Sequence, residues 1–410
     1  MNPTSADVAA ATDPRMSGLV EAARALQPRT VALRRRLHRH PEQGLALPDT
    51  QAAVLHALTG LDLRIDTGAS CGSVTAVLDG ARPGPTVLLR ADMDALPLRE
   101  DSGLEFASEV DGTMHACGHD THTAMLVSAA RLLSSRRDAL AGKVVFMFQP
   151  GEEGYHGARH MLDDGVLGAA GRSVERAFAL HITSTVASGL VRCRPGPIMG
   201  SADTFTVLVT GRGGHAAVPE AALDPVPVAA EMVGALQTMI TRRVSVFAPA
   251  VLTIGRITAG TTTNIIQETA ELEGTVRTLS EATRTMVLAE LKRVCEHVAA
   301  AHGCRAQVDV TVGYPVTVND AGVAGQVLDI AGDVLGRRHA VAMPDPLMAA
   351  EDFSYVLNEV PGALAFLGAC PPGVDPAEAE PNHSNRVHFD ESAFAAGVAL
   401  YAAVALDWLR

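Results

Sequence analysis

The sequence predicts an α/β fold, a sheet covered by helices on both faces and interrupted by an inserted α+β unit. Short apolar runs at 73–78, 86–89, 143–148 and 177–180 alternate with helical periodicity, the pattern of strands buried on both sides. At about Ser201 the pattern changes to strand, helix, strand, strand, helix, strand, which is the ferredoxin-like order. After Pro315 the helix and strand alternation returns. The first domain is therefore expected from both ends of the chain, 1–200 and 315–410, around an inserted domain at 201–314.

Taken in order, an amphipathic stripe predicts a helix over 17–40 that stops at Pro41, and a second over 49–58 with Asp49 as N-cap. The four apolar runs follow as strands, with a buried apolar helix near 124–133 between the second and third. In the insert, 204–209 alternates as a strand and 225–241 is helical. Strands at 251–257 and 269–278 join through Gly260-Thr-Thr-Thr-Asn264, and a long helix at 281–301 precedes a last strand at 306–312. Beyond it, 321–335, 351–357 and 363–367 continue the alternation. A proline-rich, acidic loop at 371–382 delivers His383, and an apolar helix at 389–409 closes the fold.

Composition narrows the function. With 410 residues, 47% of them hydrophobic and 4% aromatic, the chain has the make-up of a globular protein of two or three domains. A formal charge of −13, with no basic stripe interleaved with aromatics, argues against a nucleic-acid partner. The densest basic run, Arg34 to His40, is one face of a predicted helix. Residues 1–13 lack the basic start and apolar centre of an export signal, and no 18 apolar residues run together, so a cytoplasmic protein without a membrane span is expected. Six cysteines scattered over this length fit reduced thiols rather than a disulfide framework.

The chemistry concentrates in Thr113-Met-His-Ala-Cys-Gly-His-Asp-Thr-His-Thr123. Thiolate and imidazole suit a borderline divalent cation, and Cys117-Gly-His119 lets both side chains turn onto one ion. Histidine clusters also occur on solvated loops, and a lone cysteine is often a small buried hydrophobe. Density beside a helix that must be buried favours ligation for Cys117 and His119. His115 and His122 stay open between orienting a ligand and starting the helix.

Three strands are followed by polar residues: Arg90-Ala-Asp92-Met-Asp94, Gln149-Pro-Gly-Glu152-Glu153 and His181. Ligands bind beyond the carboxyl ends of strands in open α/β sheets, so these groups should meet the Cys117/His119 loop. Adjacent carboxylates at Glu152 and Glu153 are tolerable if one holds a cation while the other takes a proton. His156 and His160 have i, i+4 spacing but lack the glutamate of a His-Glu-x-x-His motif, so structural or surface roles are expected for them.

Together these stretches, with His38-Arg-His-Pro-Glu42, Gly211-Arg-Gly-Gly-His-Ala-Ala217 and Gly274-Thr-Val-Arg277, resemble the motifs of the aminoacylase and carboxypeptidase metallopeptidases. Within that family the sequence resembles the branch of N-acyl-amino-acid amidohydrolases, hippurate hydrolases and plant auxin-conjugate hydrolases, from about residue 30 to the C-terminus. The resemblance implies a zinc-peptidase-like catalytic domain on a mixed sheet and a satellite dimerisation domain at 201–314. It implies two divalent ions held by Cys117, His119, Glu153, His181 and His383, with Cys117 bridging. Zinc or manganese suits that donor set, and cobalt or nickel could replace them.

The same resemblance makes Glu152 general base and then general acid, and gives the oxyanion a donor in His215, reaching across from a second subunit of a homodimer. Asn264 and Arg277 match residues that hold a substrate carboxylate, and Asp92 supports the metal site from behind the ligands. Asp94, Asp120 and Glu351-Asp-Phe353 match positions with structural or pocket roles. Arg90 stands where the wider superfamily has a ligand histidine and is not counted as a ligand. Thr183 to Gly189, Glu220 and Gln267 depart from the branch and bear on the shape of the substrate pocket. The implied reaction is hydrolysis of an N-acyl-L-amino acid to carboxylate and free amino acid. The alternatives are a dipeptidase or carboxypeptidase with the same metals, a cysteine amidase using Cys117 with His119 or His122, and a binding protein on a retired hydrolase fold.

Overall fold

The computed structural model describes residues 14–410, so the stretch 1–13 read for an export signal lies outside the described residues. The chain forms two compact units, one of residues 14–196, Asn319–Pro344 and Tyr355–Arg410, the other of Pro197–Val318 and Asp345–Ser354.

The first unit is built on an eight-stranded mixed sheet. Its order is Arg64–Thr67, Val74–Asp79, Ala141–Gln149, Arg82–Asp92, Arg176–Thr183, Gly362–Gly368, Val191–Cys193 and Ala340–Ala342. The four strands from Ala141–Gln149 to Gly362–Gly368 run parallel, and the next strand on either side is antiparallel to them. These four are nearly continuous apolar runs because helices cover both faces; every residue of Gly362–Gly368 is buried. Helices Leu19–Arg39, His119–Ser135 and Phe394–Trp408 pack against one another, and the latter two are buried almost all round. In register, Asp92 lies opposite Gln149 and His181 opposite Phe366. Parallel strands thus end along one edge, and the polar residues that follow each of them emerge together.

Several boundaries differ from the sequence reading. The strand read at 86–89 extends over Arg82–Asp92, because Arg90 and Asp92 are buried by partners that a single chain segment does not reveal. Asp49 is not an N-cap: the second helix runs Pro48–Leu58 from Leu47, and the Glu42 carboxylate accepts the Asp49 and Thr50 N–H groups at 3.2 and 2.8 Å. The helix read at 351–357 begins at Ser354, and the last helix begins at Phe394.

The second unit carries a four-stranded antiparallel sheet in the order Ala250–Ala259, Thr269–Thr278, Asp203–Thr210, Arg305–Val312. Asp203–Thr210 alternates buried and partly exposed positions, so one face meets the core. Val228, Met232 and Leu236 of helix Pro225–Arg243 and Val287 and Leu291 of helix Glu281–Ala301 join that core. Side chains of Asp224 and Ser280 cap the two helices. Among the described residues no helix is long and apolar enough to cross a membrane.

Candidate active site

Gly118 makes the first half of the site possible. It has φ +90° and starts helix His119–Ser135, and a Cβ there would lie 2.4 Å from the Ile182 side chain. The chain therefore turns tightly between Cys117 and His119 and aims both inward. His181 arrives from the end of strand Arg176–Thr183, with Nε2 3.4 Å from Cys117 Sγ. His383 Nε2 lies 3.3 Å from Cys117 Sγ and 3.3 Å from Glu153 Oε1. Glu153 Oε1 is 4.0 Å from His119 Nε2. Ligand atoms of Cys117, His119 and His181 lie within 4.8 Å of one another, as do those of Cys117, Glu153 and His383 and those of His119, Glu152 and Glu153.

The histidine tautomers follow from the backbone. Nδ1–H of His119 donates to the Asp94 carbonyl at 2.9 Å, and Nδ1–H of His181 donates to the Ile182 carbonyl at 2.8 Å. Each Nε2 lone pair then faces the cluster. His119 Nε2 is buried without a hydrogen-bond partner among the described residues, and Glu153 Oε1 faces the His383 ring nitrogen at 3.3 Å. Buried polar groups in proteins generally find a partner, and lone pairs facing a thiol and two more imidazoles fit divalent cations.

His122 is not part of this donor set. Its Nε2 accepts the Ile182 N–H at 2.7 Å and its Nδ1–H donates to Asp92 Oδ1 at 2.5 Å, so both ring nitrogens are used. His115 is buried, with neither ring nitrogen paired among the described residues, and burial lowers its pKa to about 3, leaving it neutral. Asp92 sits behind the cluster, 3.6 Å from His119 Nε2, and Arg90 Nη1 donates to its Oδ2 at 2.7 Å. Arg90 Nε also donates to Gln149 at 2.9 Å, so Arg90 fastens two adjacent strands under the site.

Two residues act through backbone groups that sequence pattern does not display. The Asp94 carboxylate accepts the N–H groups of Glu152 and Glu153 at 2.9 and 3.0 Å and sets their turn. Asn382 donates to the carbonyls of Cys117 and Ile182, both at 3.0 Å, binding the loop that carries His383 to the other ligands. Its position next to His383 was the available signal. His383 itself has φ +70°, uncommon for a residue with a Cβ.

Burial would raise the pKa of Asp92, but Arg90, His119 and His122 outweigh it and hold it well below the usual carboxylate range. Glu153 is held low in the same way against burial, by His383 and His119. Hydrogen bonds to Cys117 and Glu153 raise His383 to about 10. Burial, then Glu153, pushes the Cys117 thiol up.

His215, Asn264 and Arg277 belong to the second unit. Strand Gly214–His215 pairs with Ile265–Ile266, and Ala216 N–H donates to the Asn264 carbonyl at 3.1 Å, so His215 and Asn264 are neighbours. Nδ1 of the exposed His215 accepts the Ala217 N–H at 3.0 Å, leaving a hydrogen on Nε2 of the neutral ring. Arg277 lies on strand Thr269–Thr278 opposite Val251. It makes no side-chain hydrogen bond or ion pair among the described residues, and burial lowers its pKa.

A thiolate, imidazoles and a carboxylate around one point, with a second carboxylate alongside, can hold metal and move a proton. The sequence profile of peptidase family M20/M25/M40 matches residues 88–407. The chain belongs to this family. M20 relatives share most of its length. N-acetyl-L-cysteine deacetylase of Bacillus subtilis is 38% identical over 84% of this chain and 81% of its own. Thermostable carboxypeptidase 1 of Saccharolobus solfataricus is 35% identical over 92% and 95%. Among solved structures, the Bacillus subtilis YxeP protein, described as a dinuclear metal-binding peptidase of the M20 family, superposes with a TM-score of 0.80. It is 33% identical and covers 94% of this chain and 99% of its own. The M20 chain described here is thus a hydrolase acting on amides, and a retired binding protein is set aside.

Proposed function

We propose that this M20 enzyme cleaves the amide bond of N-acyl-L-amino acids, releasing a carboxylate and a free amino acid. The observation that carries the reading is the convergence of Cys117, His119, Glu153, His181 and His383 with Glu152 in the same turn as Glu153. The five donors, Cys117 lying between two histidine neighbours, would hold two divalent cations, for which zinc and manganese are well suited. When bound, the cations polarise the scissile carbonyl and acidify water. Glu152 accepts a proton from the attacking water as the new C–O bond forms, then delivers it to the amide nitrogen as the C–N bond breaks. His215, with hydrogen on Nε2, donates to the developing oxyanion, supplied from the second subunit of a homodimer built through 201–314. Arg277 and Asn264 hold the substrate's α-carboxylate, the guanidinium well suited by its planar donors. Asp92 keeps the ligand histidines oriented. The six free cysteines fit a reducing, cytoplasmic setting.

A second reading is a carboxypeptidase or dipeptidase using the same metals, favoured by the 35% identity to the archaeal carboxypeptidase. Initial rates on N-acetyl, N-benzoyl and indole-acetyl amino acids, with free dipeptides alongside, decide between them on metal-loaded protein. Faster turnover of blocked substrates supports the amidohydrolase, and faster turnover of dipeptides moves the assignment. Glu152→Gln should lower kcat by about 10²- to 10⁴-fold while bound metal is retained. Undiminished turnover would remove Glu152 from the mechanism.

A further inference from the structure

Among the described residues, two non-glycine positions lie in left-handed backbone: His383, a member of the cluster, and His156, with φ +57°. Strained backbone of this kind persists where surrounding contacts over-determine it, and it concentrates at functional sites. His156 follows Glu153 by three residues and stands just outside helix Gly157–Asp163.

The segment 150–157 is a closed loop. Gly157 N–H donates to the Gly151 carbonyl at 3.0 Å, and Gly154 N–H to the Glu152 carbonyl at 2.8 Å. At the neck the chain is in close contact with itself, since a Cβ on Gly157 would lie 1.6 Å from the Pro150 carbonyl oxygen. Asp94 holds the Glu152 and Glu153 amides on one side of the loop. On the other side the left-handed residue at 156 leads the chain into Gly157 at this contact. His156 Nδ1 lies 2.9 Å from the Tyr355 hydroxyl, a side-chain anchor across 199 positions of sequence.

We propose that His156 is a positioning residue for the Glu152/Glu153 turn: its hydrogen bond to Tyr355 holds the left-handed backbone that closes the loop and aims Glu152. The proposal rests on the reading of Glu152 as the base. It assigns a role to a histidine whose spacing with His160 suggested only a surface or structural one. No metal contact is needed, because His156 acts through the loop neck.

The test uses full-length, metal-loaded protein and two readouts, amide hydrogen exchange in the peptide spanning 150–158 and kcat and KM on N-acetyl-L-methionine. Tyr355→Phe removes only the hydroxyl, and His156→Ala removes the anchor while leaving a Cβ in left-handed backbone. Both should speed exchange at Gly154 and Gly157 about tenfold and lower kcat about tenfold, with KM within about twofold and the urea midpoint of global unfolding kept. His156→Asn tolerates left-handed backbone and keeps a polar side chain within reach of the hydroxyl, so it should restore both readouts to within about threefold. Adding Tyr355→Phe to His156→Ala should change nothing further. Wild-type exchange and kcat in His156→Ala, or a loss confined to KM, would overturn the proposal. Should Glu152→Gln prove active, the base assignment fails, while the exchange readout still decides whether His156 closes the loop.

Discussion

Asp92 Oδ1 and Oδ2 face different partners: one accepts from His122, the other from Arg90 with His119 Nε2 3.6 Å away. The carboxylate therefore ties the third strand-end residue to the first turn of the helix that carries His119. Asp92→Asn keeps the shape, halves the accepting capacity and presents a donor to Arg90 or His122. We expect metal affinity, measured by competition with a coloured chelator, to fall by about 10- to 100-fold, as for other partners that orient metal ligands. Unchanged affinity would show that His119 is held by the Asp94 carbonyl alone. The resemblance implied that Asp92 supports the metal site, but its partners His122 and Arg90 were not readable in Arg90-Ala-Asp92. His122 illustrates the limit: the sequence leaves it open between orienting a ligand and starting the helix, and the Ile182 N–H, 60 residues away in sequence, occupies its Nε2.

Helix Leu19–Arg39 is joined to helix His119–Ser135 by buried charge. Arg34 Nε and His38 Nδ1 lie 2.8 and 2.7 Å from Asp120 Oδ2, and His38 Nε2 lies 3.2 Å from Glu100. Burial opposes a charged His38, but Asp120 and Glu100 outweigh it and raise its pKa. Folding therefore favours the protonated ring. That contribution is complete below the unfolded value of about 6.5 and is lost as pH rises through the raised folded value. The gap in thermal midpoint between the parent and His38→Gln should be largest near pH 6 and narrow towards pH 9. A gap that widens with pH would mean a neutral His38. The helices themselves were legible because their stripes are long, and the central strands because they are apolar throughout. Arg64–Thr67 and Ala340–Ala342 were not, being three or four residues long with little burial to set a period. Glu42 as an external cap was equally invisible, since its partners lie seven and eight residues on.

For the whole molecule the open question is whether the second unit pairs with a copy of itself. Strand Ala250–Ala259 is at one edge of its sheet, mostly exposed, with Val251 and Ile257 outward. The loop before it shows Phe247 94% and Val246 85% exposed. An exposed apolar edge offers unpaired backbone groups, and proteins usually cover or blunt such an edge. Neither proline nor lysine interrupts this strand. A homodimer pairing these edges would cover it, and sedimentation velocity at micromolar concentration should find about twice the 42.7 kDa chain mass. Phe247→Glu combined with Ile257→Lys should yield a folded monomer. If His215 is supplied by the partner, that monomer should keep its metal yet lose turnover by about 10²- to 10³-fold, the usual effect of removing one oxyanion donor. His215→Ala in the dimer should cost about the same. A monomer with full activity would place the oxyanion donor within one chain. Equal losses in the two variants would instead make assembly part of the catalytic apparatus, because the two variants share nothing but access to that imidazole.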